Sequence, residues 1–224
     1  MIDPTPSRTQ ILENIRRCLG SAANVSPHED SDRRQEYGEI QRNYRRNTEL
    51  DSAGRIHLFE ERVREYDAVV HRVSANNIAD AVAERLQIRS KKRLAIPETL
   101  PKEWLPSMFT FAAADHFSAA ELDACDGVVT GCTVAIALTG TIVLQSAPTQ
   151  GPRRLTLIPD YHLCVVFAEQ IVETVPEALE RLASTAMLPT TFISGPSATS
   201  DIEMTRICGV HGPRTLDVLV VMNV

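Results

Sequence analysis

The chain has 224 residues, 43% hydrophobic and 23% charged, with a net charge of -6 and a pI near 5.5. That is enough apolar surface for one principal α/β domain, and the acidic balance argues against a phosphate-backbone binder, so nucleic acid is not an expected partner. No segment is apolar enough to cross a bilayer and the amino terminus has no signal-peptide core, so the expectation is a cytoplasmic protein without a membrane span.

Five cysteines, Cys18, Cys125, Cys132, Cys164 and Cys208, are scattered without a CxxC pair, and their odd number fits reduced thiols better than a disulfide framework. The expectation is a chain with no cofactor, no metal and no iron–sulfur cluster of its own. In chain order, Ser7 with Gln10 forms a capping box, and Ile11, Leu12, Ile15, Cys18 and Leu19 fall on one helical face before Gly20. Between residues 29 and 67 nearly half the side chains are charged, with mixed sign, as in a solvated arm. Residues 1–50 therefore read as an N-terminal helix and charged arm, and 51–224 as the α/β domain. Phe59, Val63, Tyr66 and Val70 keep helical spacing, as do Ile78, Val82 and Leu86 after a Ser74 cap.

Arg93 to Ile96 reads as a strand, and Trp104 in the Pro-broken segment that follows reads as packing. From Gly127 to Pro152 no residue is charged. Within that stretch Asp126–Thr130, Thr133–Leu138 and Thr141–Leu144 are short β-branched runs that read as the middle of a sheet, with Thr139 and Gly140 as a tight turn. Leu155–Ile158 and His162–Phe167 continue it, Thr174 with Glu177 caps a helix, and Thr190–Ser194 and Leu216–Met222 are the last strands, the latter apolar enough to be buried on both faces. The fold class is α/β: an open mixed or mostly parallel sheet with flanking helices and an N-terminal helical arm.

Four segments have the residue types for chemistry. In Thr139-Gly140-Thr141 a glycine lets backbone amides approach an anion and two hydroxyls can donate to it; otherwise it is an ordinary hairpin turn. The loop Gln145–Arg154 brings Gln150, Gly151 and the guanidinium of Arg153 to the exit of a buried strand, where open α/β sheets hold ligands. Ser194, Gly195, Ser197, Thr199, Asp201 and Glu203 follow another strand; the hydroxyls suit a phosphate or carboxylate and Glu203 a proton transfer, or else the loop simply caps the next element. Last, His211 and Arg214 flank a Gly-Pro turn, and His211 is a better acid–base candidate than His162, which lies inside a β run and reads as structural.

Taken together, GCTVAIALTGTIVL, LTLIPDYHLCVVFAEQIV, ISGPSATSDIE and GVHGPR resemble the LUD-domain family over roughly residues 70 to 224. The resemblance implies a fold like the NagB/RpiA/CoA-transferase superfamily and a role in cytoplasmic oxidation of L-lactate to pyruvate beside iron–sulfur lactate-utilization subunits. The family pattern has glutamate where this chain has Leu138, and leucine has neither a nucleophilic oxygen nor a titratable group. The reading that follows is an accessory or regulatory component binding a small anionic metabolite. The alternatives are an enzyme acting on a sugar phosphate or acyl-CoA with Glu203 or His211 as acid–base, and a protein-interaction subunit without a ligand.

Overall fold

The structure is a computed structural model that describes residues 5–19, 35–41, 43–45, 49–199, 207–208 and 212–222. The chain divides into two compact units, Met1–Tyr44 and Arg45–Val224. In the first, α1 (Thr5–Leu19) ends with Arg16 and Arg17 in its last turn, where cations suit the carbonyl end of the helix dipole. Its apolar stripe of Ile11, Leu12 and Ile15 is exposed.

The second unit opens with α2 (Ser52–Arg64), whose N-cap Asp51 accepts a hydrogen bond from the Gly54 amide at 2.7 Å, a cap of about 1 kcal/mol. Ile56, Phe59 and Val63 form its buried face. The helix stops at Arg64, Tyr66 is exposed, and Val70 lies in a strand, β1 (Val69–Ser74). Four apolar residues at helical spacing thus bridge a helix and a strand, because the pairing that claims Val70 comes from the far end of the chain. There follow α3 (Ile78–Ile88), β2 (Arg93–Ile96), β3 (Thr110–Ala113), α4 (Ala119–Asp123), β4 (Gly127–Thr130), β5 (Val134–Ile136), β6 (Thr141–Gln145), β7 (Tyr161–Phe167), β8 (Ile171–Val172), α5 (Val175–Leu182), β9 (Thr190–Ile193), β10 (Ala198–Thr199), β11 (Ile207–Cys208) and β12 (Thr215–Met222). Leu155–Ile158, expected as a strand, is not one: Arg153–Thr156 is a 3-10 turn.

The strands form a large parallel sheet in the order β1-β12-β7-β4-β2-β3, a four-stranded sheet β8-β5-β6-β9, and the pair β10-β11. The uncharged stretch is therefore divided: β4 sits inside the large sheet, while β5 and β6 make an antiparallel hairpin in the second one. One face of the large sheet, through Cys164, Val166, Val218 and Val220, packs on α2 and on Ala135, Ile142 and Leu144 of the second sheet. The opposite face, through Leu163, Val165, Leu219 and Val221, packs on Ile78, Val82 and Leu86 of α3 and on Trp104. Strand β12, between β1 and β7, is covered on both faces, which is why its sequence is almost unbroken apolar. The outer face of the second sheet buries Val134, Ile136 and Val143 against Ala178 and Leu182 of α5, which is held by the capping box of Thr174 and Glu177.

Two buried carboxylates tie the elements together. Asp217, fully buried in β12, accepts two hydrogen bonds from Arg89 at the end of α3, at 2.7 and 3.2 Å, and one from the Tyr161 hydroxyl at 3.0 Å. Glu173 accepts from the amides of Glu49 and Leu50 at 2.7 and 2.8 Å and pairs with Arg45 at 2.6 Å, fixing the strand of chain that enters α2. Both arrangements satisfy a charge that burial alone would make costly.

Candidate functional site

A cavity of about 240 Å³ opens between the two sheets. Its floor is His162 and Leu216, register partners at the amino-terminal ends of β7 and β12, and both are nearly fully buried. Residues 192–198 form one wall, Gly212 and Pro213 a second, and Arg153 with Thr156 the third. Ligands of open α/β sheets usually lie beyond the carboxyl ends of the strands; this cavity is at the opposite end of the large sheet, roofed by the exit of β9. Strands β6 and β9 are antiparallel, so the loop after Gln145 and the loop after Ile193 leave opposite ends of the second sheet. Arg153 and Thr156, the first and last residues of the 3-10 turn, both line the cavity.

Of the residues singled out in the sequence, Arg153, Ser194, Gly195 and Ser197 line this cavity. The guanidinium of Arg153 donates to Thr156 Oγ1 at 3.1 Å and has no carboxylate partner among the described residues. It stands on the lip, and the partial loss of water around it lowers its pKa below the ordinary arginine value. Ser194 Oγ is 2.8 Å from Thr141 Oγ1, which is 2.8 Å from Thr139 Oγ1, so a row of three hydroxyls runs from the cavity wall to the β5–β6 turn. Gly140 in that turn has φ +57, and a Cβ built on it would stand 2.7 Å from the backbone carbon of Arg62 and 2.8 Å from the nitrogen of Val63. The glycine lets the hairpin turn lie directly against α2.

The remaining candidates are elsewhere. Gln150 is buried, its carbonyl oxygen accepting from the Gln145 amide at 2.7 Å and the Thr133 hydroxyl at 2.9 Å, so its side chain braces the loop. Gly151, at φ +66, gives room to Leu155. Arg214 faces Asp160 at 3.5 Å, both exposed. Leu138 is 45% exposed, off the cavity wall, its amide bonded to the Glu173 carbonyl. Thr199 lies in β10, but its side chain, like Asp201, Glu203 and His211, is outside the described residues.

His162, which sequence reasoning set aside, is in the cavity floor, with Nε2 2.8 Å from Thr130 Oγ1. Period-two alternation along β7 puts His162, Cys164 and Val166 on one face, but only the sheet order shows that this face meets a cavity at its first position. Thr156, Phe192 and Gly212 were missed for the same reason. A second, more open cleft of about 420 Å³ lies beyond the carboxyl ends of β2 and β3, between Thr99, Asp115, His116 and residues 146–148, 151 and 152. The side chain of Asp115 is engaged there by the Glu98 amide at 2.7 Å, and among the described residues that line it there is no lysine or arginine, the nearby Arg154 guanidinium being committed to the Asp115 carbonyl. Anion recognition is therefore favoured at the first cavity. Among the described residues no group of three or more His, Cys, Asp or Glu is placed to hold a metal ion, and no helix is long and apolar enough to cross a membrane.

The family model of the LUD domain matches residues 56–221. The chain belongs to the LUD-domain family. Among its relatives is lactate utilization protein C of Deinococcus radiodurans, 46% identical over 175 residues, 77% of this chain and 82% of that protein. The uncharacterized protein YkgG of Escherichia coli is 35% identical over 133 residues, 54% of each chain. A crystal structure of a DUF162 family protein from Deinococcus radiodurans superposes with a TM-score of 0.68 at 41% identity, covering 77% of this chain and 99% of that one. The matched LUD domain takes in α2 from Ile56 onward, both sheets as far as residue 221, and every described wall of the cavity.

Proposed function

We propose that this LUD-domain protein is an accessory component of a lactate-utilization system that binds a small anionic metabolite in the cavity between the sheets and acts beside iron–sulfur partner proteins, which hold the redox centres. The relatives named lactate utilization protein C support the system. The observation that carries the binding reading is Arg153, a guanidinium at the lip of a polar cavity with no carboxylate to neutralise it among the described residues. An incoming carboxylate would take bidentate hydrogen bonds from Arg153 and a further one from Ser194 or Ser197, with His162 below it. At about 240 Å³ the cavity is smaller than the roughly 300–1,000 Å³ clefts of drug-sized ligands, the scale of a short-chain acid and not of an acyl-CoA. The NagB/RpiA/CoA-transferase likeness belongs to the same proposal at the level of fold ancestry; covalent chemistry at position 138 is not part of it, since that residue is leucine.

The test is calorimetric titration of the full chain with L-lactate and with pyruvate. Loss of a charged hydrogen-bond partner is worth about 1.5–3 kcal/mol, so Arg153→Gln should weaken whichever acid binds by roughly 10–100-fold. Equal affinity in wild type and Arg153→Gln would remove the reading.

A further inference from the structure

Below the cavity a chain of hydrogen bonds runs in one direction, and it fixes which nitrogen of His162 carries the proton. The chain ends at the Gly131 carbonyl, an obligate acceptor, 3.6 Å from the sulfur of fully buried Cys164. A carbonyl oxygen has no proton to share, so Cys164 donates to it as the thiol, and burial favours the same neutral form. The sulfur in turn accepts from the Thr130 hydroxyl, whose Oγ1 is 3.8 Å away. Thr130 has one hydroxyl proton and it is directed to the sulfur, so in the 2.8 Å contact between Oγ1 and His162 Nε2 the ring is the donor. Strand register holds these groups in place: Thr130 and Cys164 are partners in the β4–β7 ladder, and His162 and Cys164, two residues apart, share a face of β7. The neutral imidazole is thereby set with its proton on Nε2 and a lone pair on Nδ1. Nδ1 has no partner among the described residues, where Nε of Arg55 is the one buried side-chain polar atom left without one, so Nδ1 is open to the cavity that His162 lines.

Resting on the binding reading above, the geometry points to a hydroxy acid, and not an oxo acid, as the anion this cavity selects, with His162 as the residue that reads the hydroxyl. The carboxylate meets Arg153 at the lip and the hydroxyl donates to Nδ1 at the floor. A hydroxyl brings the proton that Nδ1 needs, a ketone brings only lone pairs, and an unsubstituted acid leaves the ring nitrogen unpaired. Sites built to hydrogen-bond a ligand hydroxyl reject analogues that lack it, because the site's own polar group is then stranded. L-Lactate and pyruvate carry the same charge on nearly the same carbon frame, so Arg153 and the walls do not separate them and the floor does. Thr130 is not among the residues that line the cavity and acts as a positioning residue: its hydroxyl holds the ring in the accepting tautomer.

The experiment is calorimetric titration of the full chain with L-lactate, propionate and pyruvate. Wild type should bind L-lactate about tenfold or more tightly than either of the others. His162→Gln keeps an amide nitrogen to donate to Thr130 but places no acceptor where Nδ1 was, and should bring the three affinities within about threefold of one another. Thr130→Val frees the ring to carry its proton on either nitrogen, and should lower the ratio of L-lactate to pyruvate affinity without removing a cavity-lining group. If neither variant folds, the wild-type preference decides alone. Equal affinities for the three acids in wild type, all weakened by Arg153→Gln, would leave the carboxylate site standing and overturn the hydroxyl assignment, as would a preference for pyruvate. A preference for L-lactate that survives unchanged in folded His162→Gln would also overturn it, and no binding of any of the three acids would remove both readings.

Discussion

Gly140→Ala distinguishes a packing role from a ligand-binding role in the β5–β6 turn. The residue sits at φ +57, where a side chain costs about 1–2 kcal/mol relative to glycine. Its new methyl would also meet the Arg62 carbonyl carbon at 2.7 Å, the Arg62 Cβ at 2.8 Å and the Val63 nitrogen at 2.8 Å. Two of these are backbone atoms of a helix anchored by buried Phe59 and Val63, so they cannot rotate aside. Overpacking of this kind costs about 1–3 kcal/mol, and with the backbone strain the total is about 2–5 kcal/mol. The assay is urea unfolding followed by circular dichroism, where the midpoint should fall with an unchanged slope. Gly131→Ala is the control: its methyl would meet Thr149 Oγ1 at 2.8 Å, which can turn away, and Thr149 Cβ at 3.3 Å, which needs only a few tenths of an ångström of adjustment, so the loss should be smaller, about 1 kcal/mol. A Gly140→Ala protein as stable as wild type would refute the packing argument. If that stable protein had also lost L-lactate binding, the glycine would belong to the ligand.

Two further predictions concern the opposite face of the large sheet. Arg89→Ala leaves fully buried Asp217 with only the Tyr161 hydroxyl, and stranding a buried carboxylate should cost about 3 kcal/mol in urea unfolding; Arg89→Ala combined with Asp217→Asn should lose less than Arg89→Ala alone, and equal or greater loss would count against the pair. His71 accepts from Arg85 at 2.8 Å, and burial together with the Arg85 charge lowers its pKa from 6.5. With the folded pKa below the unfolded one, its contribution is complete above pH 6.5 and is lost as pH falls through the folded value, because the unfolded chain then binds the extra proton. His71→Gln should flatten the fall of the urea midpoint between about pH 7 and pH 5, and an identical slope in the variant would refute it.

The elements that sequence reasoning handled well are those whose pattern is local. Thr174 with Glu177 is a capping box by residue type and spacing, and the structure forms both of its bonds. The β-branched runs at β4, β5, β6, β7, β9 and β12 are strands within a residue or two, and Trp104 is buried packing. Failures occurred where a distant partner overrode the pattern. Val70 joins a strand because Val218 is beside it, and residues 153–156 turn as a 3-10 segment because Leu155 is needed against Ala95 and Val128. Thr110–Ala113 and Ala119–Asp123 are too short to show a period.

The uncharged stretch illustrates the division. Its sequence alone determined buried strands, a turn at Thr139 and Gly140 and a family signature, since alternation, β-branching and a glycine at positive φ are properties of neighbouring residues. Its assignment to two sheets was not legible, because an antiparallel hairpin and two adjacent strands of one sheet bury the same side chains. The cavity was decided by tertiary structure as well. Arg153, Ser194, Gly195 and Ser197 were singled out one segment at a time, but His162 joins them only through its register with Leu216. Residue types are fixed by the chain, whereas which of them face the same space is set by strand order, and that order results from the burial of the whole sheet.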